Sequence, residues 1–471
     1  MHKSAKTRLR SASQLKLTRR KAGYRLVGEF LETARLAFPM VLTQLGQVAM
    51  TTIDVAFIAQ NGNEALAAAA LASRLYFVCL TCGVGVLAAI APLVAQAFGR
   101  HNLAIVRLSL RMGLWAALLL SCPIVALLLR AEEILFAFGQ APEAARLAQR
   151  YLLGLAWGTA PTLSFQAIRS FMGAVNKPRP ILWITLAAIP MNALLVYLLM
   201  DGKFGLPRLD LFGVGLATTL VNCGMFLAGL WFATMQAPFR AYHLLAHFWR
   251  FDWPMMRQLF AIGTPISMAF LMGYGTVSAT ALMAGRIGTS ALAAHQIAAQ
   301  VASILFMVPL GISTAAAVRV SYAVGCKNWL GMKQAGLIAM VLGTVVVGTL
   351  TLAVVPARFY IAELFLGRSG ARDDATIALC AKLHLVGASY FITDALQSIA
   401  AGALRGLKDT RVPLLFAAVA YWPIGLSISF VLGLKFDLGA VGIWIGLSVG
   451  TTVYAGLLVL RFQLLTSKTF S

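Results

Sequence analysis

The sequence predicts an all-α polytopic membrane protein with twelve transmembrane helices in two six-helix, pseudo-symmetric lobes, and three observations carry that expectation. The chain is 60% hydrophobic and only 12% charged, with a mean hydropathy of +0.81. A soluble domain of this length carries about a quarter charged residues to cover its surface. The apolar runs are long and lack the roughly ten-residue alternation of a membrane barrel, so their backbones must be satisfied within helices. Finally, landmarks recur without a gap: Pro39 matches Pro265, Gly62 matches Gly288, Leu66-Ala67-Ala68 matches Leu292-Ala293-Ala294, Gly85 matches Gly311 and Gly99 matches Gly325, all at an offset of 226 residues (265 less 39). A second set, Gly173 with Gly406, Pro180 with Pro413 and Pro190 with Pro423, follows at 233 (413 less 180). The chain thus reads as two copies of one apolar unit, as in proteins that rock one half against the other.

A window of about twenty residues places the spans at 33–59, 65–98, 106–129, 148–174, 180–201 and 211–235 in the first copy. The second copy gives 257–284, 290–323, 333–356, 378–404, 412–434 and 440–463. The organisation follows: a basic arm over 1–32, an N-terminal lobe over 33–236, a linker over 237–256, a C-terminal lobe over 257–464 and a tail over 465–471. Six helices per copy is an even number, so both lobes enter the membrane in the same direction, about an axis along its normal.

Loop charge assigns the sides, because Lys and Arg stay cytoplasmic in short loops. The arm carries Lys16, Arg19, Arg20, Lys21 and Arg25, and the even-numbered turns carry Arg100, Arg107, Lys177, Arg179, Arg240, Arg250, Arg257, Lys327, Lys333, Lys408 and Arg411. The first turn of the other set, Asn61-Gly62-Asn63-Glu64, has none. Arg130, Arg146, Arg150, Arg368 and Arg372 run against the trend but are diluted by Glu132, Glu133, Glu143, Asp373 and Asp374. Both termini are therefore expected in the cytoplasm. The arm lacks the apolar core of a cleavable signal. The net charge of +23 suits contact with anionic membrane lipids rather than nucleic acid. The linker stretch PFRAYHLLAHFWRFDWP reads as an interfacial helix on the cytoplasmic face. His243 and His247 within it stand four apart with no third ligand nearby, so no metal is expected; Cys79 and Cys82 form a CxxC inside an apolar helix and read as packing residues.

A charge at a helix centre costs about 2.5 to 3.5 kcal/mol on insertion scales, so each one calls for a reason. Asp54 sits in the first span, Asp394 in the tenth, Arg74 in the second, His295 near the start of the eighth and Arg319 near its cytoplasmic end. For Asp54 two readings stand: an acid satisfied by Arg74, Thr51 or Thr52, or a carboxyl that gains and loses a proton or cation as its surroundings change. A carboxyl withdrawn from water holds a proton more tightly, which suits the second. Asp394 has Thr393 and Gln397 beside it as structural partners. Arg319 is expected to snorkel to the interface, and His295 to cap or pack, with participation in proton movement as the other option.

TTIDVAFIAQNGNEALAAAALA, GRIGTSALAAHQIA and TDALQSIAAGALRGLKDTRVP, the last followed by YWPIGL and GAVGIWIGL, are similar to the multidrug and toxic compound extrusion (MATE) family, NorM-type bacterial members in particular. The similarity covers about residues 33 to 463 and implies a MATE-type fold of the wider MOP superfamily. It also implies a central cavity and export of cationic or amphipathic compounds in exchange for protons or sodium across the bacterial inner membrane. Carried over residue by residue, Asp54 falls on the first-helix coupling acid, Asn192 on the fifth-helix Asn of the N-lobe cation site, Thr218 on its sixth-helix Thr and Asp394 on the tenth-helix acid. Two positions depart: Gly273 stands where NorM-type members carry a seventh-helix acid, and Val196 where some members add a second fifth-helix acid.

A sodium site needs several oxygens, so losing a carboxylate from each lobe favours proton coupling through Asp54; a sodium site of Asp54, Asn192 and Thr218 is the alternative. The missing seventh-helix acid also makes neutral or zwitterionic amphiphiles more plausible substrates. Phe77, Met272, Tyr274, Phe306, Met307 and Tyr390 are candidate cavity residues, alongside Arg74, Gly273 and His295. The expectation is a monomeric antiporter without resident cofactor, binding membrane lipids and small amphipathic molecules and no nucleic acid. A lipid-linked precursor or polysaccharide flippase of the same superfamily is the runner-up; it calls for a cationic cavity, for which Arg74 is the candidate, and often for more than twelve helices. An enzyme is not expected, since no HExxH, GxSxG, phosphate loop or acid cluster falls on a loop.

Overall fold

A computed structural model describes the backbone of residues 2–202, 205, 207–237, 239–242, 249–366 and 371–467, with side chains from Gly28 onward except at 201, 241, 366 and 371–373. Among the described residues there is no strand. The first half comprises α1 (His2–Ala59), α2 (Asn63–Leu87), α3 (Ile90–Gly99), α4 (Leu103–Leu129), α5 (Ala131–Ala137), α6 (Pro142–Ala156), α7 (Thr159–Ala174), α8 (Arg179–Asp201) and α9 (Asp210–Met235). The second comprises α10 (Trp253–Ile287), α11 (Thr289–Gly325), α12 (Trp329–Leu366), α13 (Ala371–Gly406), α14 (Arg411–Val419), α15 (Ser427–Phe430) and α16 (Gly439–Ser467). Eleven of the described spans, with α2 and α3 taken as one, are long and apolar enough to cross a membrane. The remaining crossing, fourth in chain order, is α6 with α7, which gives the expected twelve.

Helix ends repeat the internal symmetry. α3 terminates at His101, in the left-handed region at φ 55°, and Asn102 then caps α4 by accepting from the Ile105 amide at 3.2 Å. At 226 residues further on, α11 terminates at left-handed Lys327 (φ 55°), and Asn328 accepts from the Gly331 amide at 2.9 Å at the start of α12. In both, the residue after the left-handed position returns its N–H to a carbonyl five residues back, Asn102 to Ala97 and Asn328 to Ala323. That hydrogen bond is the signature of the Schellman helix terminus. α10 starts on Asp252, whose carboxylate accepts from the Met255 amide at 2.8 Å, with a proline in the first turn.

The two halves meet through reciprocal contacts. A Cβ added to Gly85 would stand 2.5 Å from the Ser267 Cα, and one on Gly311 2.7 Å from the Val41 Cα. Since Gly311 is the counterpart of Gly85, and Ser267 that of Val41, each half offers the other the same pair, as a two-fold relation demands. Gly99 and its counterpart Gly325 touch each other across the axis: a Cβ on either would lie 3.1 Å from the other's Cα. Only glycine permits backbones so close. Gln96 Nε2 donates to the Gly406 carbonyl at 3.1 Å across the same seam, and Arg319 of α11 pairs with both Glu29 and Glu32 of α1. The Gly99–Gly325, Gln96–Gly406 and Arg319–glutamate contacts lie toward the end carrying the basic loops and both ends of the described chain, called here the basic end. At the opposite end Gly62 and its counterpart Gly288 have nothing within 4 Å of an added Cβ. Contacts of Gly99 with Gly325, Gln96 with Gly406 and Arg319 with the two glutamates hold the halves together at the basic end.

Several elements differ from the sequence expectation. The arm is helical in backbone from His2 and continuous with the first span. The fourth span starts earlier, at Pro142, and breaks at Trp157–Gly158, where the freed Gly154 carbonyl accepts the Thr219 hydroxyl of α9 at 2.7 Å. A short extra helix, α5, precedes it. The eleventh crossing passes through π-helical turns at Ala420–Leu426 and Val431–Lys435 around Pro423, a proline's usual effect on the hydrogen-bond ladder. In the linker the described residues include a 3-10 turn over Phe239–Tyr242, and the centre of the expected interfacial helix, His243 and His247 with it, lies outside the described residues, as do the side chains of Arg368, Arg372 and Asp373. All six cysteines are free.

Candidate functional site

Three helices of the first half converge on one carboxyl. Asp54, five residues before the end of α1, accepts from Asn192 Nδ2 at 2.5 Å on one oxygen and from Thr218 Oγ1 at 3.0 Å on the other. Asn192 lies on α8 two residues after Pro190, and Thr218 on α9, so the two donors come from helices packed together beside α1. Asp54 is 4% exposed and Asn192 0%, whereas Thr218 is half-buried. Asn192 Oδ1 is buried without a hydrogen-bond partner. Such an orphaned acceptor is costly to keep. No arginine pairs with Asp54 among the described residues; Thr51 and Thr52 both donate to the Val48 carbonyl of their own helix instead. Val196, one turn beyond Asn192, is fully buried and supplies no second acid.

This arrangement can hold a carboxyl in either charge state. Ionised, it takes the two donors that already face it. Protonated, it becomes a donor itself, and the Asn192 amide carries the acceptor such a proton needs. The same oxygens, from Asp54, Asn192 and Thr218, are also the ligand type that a hard cation takes.

The second half holds a different polar cluster. Asp394 of α13 accepts from Gln397 Nε2 at 2.8 Å, with Thr393 bonded to Thr451 of α16 at 2.8 Å beside it. At Gly273 on α10 an added Cβ would face the Tyr421 ring at 3.6 Å, an ordinary contact. Tyr421 itself meets Tyr454 edge to face, with ring centroids 5.1 Å apart. His295 is 1% exposed and its Nδ1 accepts from the Trp444 indole at 3.1 Å, in a cluster with Phe391 and Tyr390, which is the packing option of its two readings. Asp54 and Asp394 thus belong to separate sites, one in each half.

The remaining candidates fall at the interface between halves or near it. Phe77 of α2 meets Tyr274 of α10 at 5.2 Å between ring centroids, Arg74 is exposed, and Met272, Phe306 and Met307 are half-buried. Arg319 does not snorkel; two glutamates of α1 satisfy its charge. Sequence reasoning passed over Arg169 of α7, whose Nη1 donates to Gln44 and Gln47 of α1, each at 2.9 Å. Two glutamines three apart on a transmembrane helix were the available signal. It also passed over Arg405, which lies over the Phe270 ring at 4.8 Å. Among the described residues no three metal-binding side chains cluster. The Gly-x-Ser-x-Gly at 446–450 lies within α16, where Ser448 accepts from Ser389 at 3.1 Å, and not on the strand-to-helix turn a nucleophile needs.

The MatE family model matches the chain twice, over 39–198 and 265–431. The two matches begin at Pro39 and Pro265, the same offset that separates the repeated landmarks. The chain is 56% identical over 443 residues to a probable multidrug resistance protein NorM of Bradyrhizobium diazoefficiens, covering 94% of this chain and 95% of that one. It is 51% identical over 438 residues to a protein of the same description from Rhodopseudomonas palustris, covering 93% and 92%. The fold is that of a solved MATE structure in complex with MaL6, at a TM-score of 0.84 and 17% identity over 93% of this chain and 97% of that one. Two family-model matches, a shared fold and full-length relatives agree: the chain belongs to the MATE family of integral membrane transporters.

Proposed function

We propose that the protein is a secondary active antiporter of the bacterial inner membrane, exporting amphipathic and cationic small molecules in exchange for protons. The observation that carries this reading is the near-complete burial of Asp54 between Asn192 and Thr218, with an unsatisfied amide oxygen beside it. A buried carboxyl with donors and an acceptor at hand can exchange a proton without losing its place in the fold. Sodium held by the same oxygens is the alternative cargo, disfavoured by Val196 and Gly273, where further carboxylates would otherwise stand. The relatives named as multidrug resistance proteins support the substrate class. Without a seventh-helix acid, neutral or zwitterionic amphiphiles fit alongside cations. With the basic end in the cytoplasm, as its Lys and Arg content argues, the seam lies toward the inside and both termini are cytoplasmic.

Asp54→Asn tests this directly. In everted vesicles carrying an imposed pH gradient, the variant should reach the membrane in normal amount and lose gradient-driven dye transport. Transport at the wild-type rate would remove Asp54 from coupling.

A further inference from the structure

A cavity of about 390 Å³ opens at the basic end, away from the Asp54 and Asp394 sites, between the first turn of α12, the turn after α13 and the last turns of α16. Trp329 and Met332, Lys408 and Asp409, and Arg461 line it from those three directions. Its charge balance is positive. Arg461 Nε donates to Asp409 Oδ2 at 2.9 Å, which occupies the acid, while the Lys408 ammonium has no acidic partner among the described residues. Lys408 is half-buried, in the left-handed C′ position of a Schellman terminus (φ 62°), with its own N–H on the Arg405 carbonyl and that of Asp409 on Leu404. Glycine is the usual residue there. Burial, and after it the charge of Arg100 from the other half, hold the Lys408 ammonium below the ordinary lysine value. A lysine kept half-buried, strained and facing a second cation lacks an anion.

The surroundings favour a lipid over a free ion. Trp329 is exposed in the first turn of α12, at the end of a membrane-length helix, the position where indoles mark the interface. Leu330, Leu460 and Leu464 are all exposed on the same two helices next to the cavity, offering an apolar path away from it. We propose that this cavity binds the phosphate of an anionic phospholipid, with Lys408 and Arg461 on the phosphate and the leucines of α12 and α16 along the acyl chains. Basic pockets between helices on the cytoplasmic side are suited to such headgroups. Because Arg100 belongs to the other half, a phosphate at Lys408 also screens the repulsion between them and favours the closed basic end.

The test uses purified full-length protein in detergent, with phosphatidylglycerol or phosphatidylcholine added and binding read by native mass spectrometry. Wild type should bind phosphatidylglycerol preferentially. Lys408→Gly, which suits the left-handed turn, should weaken that binding about fivefold, while Lys177→Gln, which removes one charge from another loop at the same end, should leave it unchanged. Lys408→Gln, measured in parallel, reports the same loss should the glycine variant fail to fold. Undiminished binding by the Lys408 variants, or an equal loss with Lys177→Gln, would overturn the site. Inorganic phosphate displacing phosphatidylglycerol at the same concentration would assign it to a free anion and overturn the lipid.

Discussion

Asp54 divides its two oxygens between donors from two other helices, and neither donor can be exchanged without leaving a buried charge under-satisfied. A hydrogen bond to a charged group is worth about 1.5–3 kcal/mol. Removing this donor from the ionised carboxyl favours the protonated form, so Asn192→Ala should tighten apparent proton affinity by about tenfold or more, measured as the shift in the pH dependence of efflux, with protein level unchanged. Gly273→Glu would put a Cβ in ordinary contact with Tyr421 and bring a carboxyl to the position where the resemblance places a seventh-helix acid. Ethidium efflux should then show a KM lower by about threefold, and an unchanged KM would detach this position from cation preference. The charges themselves were legible in the sequence because an acid in an apolar run stands out. Their partners were not: Arg319 meets glutamates some 290 residues away in the chain, and Arg169 reads as one more basic residue near Lys177 until the glutamines of α1 are folded against it.

Among the elements, the turns at His101–Asn102 and Lys327–Asn328 perform one structural task twice, ending a helix in the left-handed region and capping the next. The glycine seam between α3 and α11 depends on backbones in contact, so Gly325→Val overpacks it. A loss of about 1–3 kcal/mol should appear as a lower Tm in detergent, whereas Gly348→Val, on a face with nothing within 4 Å, should leave Tm unchanged. Equal effects at both positions would separate stability from the seam. Glycines and prolines made the repeat visible in the sequence, yet the same letters hid the break between α6 and α7. There the chain reads as continuous helix, and the Thr219 hydroxyl of α9, which donates to the Gly154 carbonyl, explains why an interruption is tolerated in the membrane.

For the whole molecule, reciprocal packing at Gly85–Ser267 and Gly311–Val41 makes the halves quasi-equivalent, and contact between them at the basic end is what one of the two states of alternating access needs. Opening the basic end must part Arg319 from Glu29 and Glu32. Cysteines placed at Glu32 and Arg319 in a background without the six native ones, joined by a reducible bifunctional thiol reagent long enough to span an Arg–Glu pair, should stop efflux and release it on reduction; full transport by the cross-linked protein would contradict rocking at this seam. The count of crossings, the two-fold repeat and the basic side were readable from composition and spacing. Where the halves are held together was not, since it depends on contacts between residues that share no local pattern. The most direct test of proton coupling at Asp54 is dye transport by reconstituted protein under an imposed pH gradient and, separately, under a sodium gradient, for wild type and Asp54→Asn. The account predicts that the pH gradient alone drives wild type and drives the variant not at all; transport driven by sodium alone, or a variant as active as wild type, would contradict it.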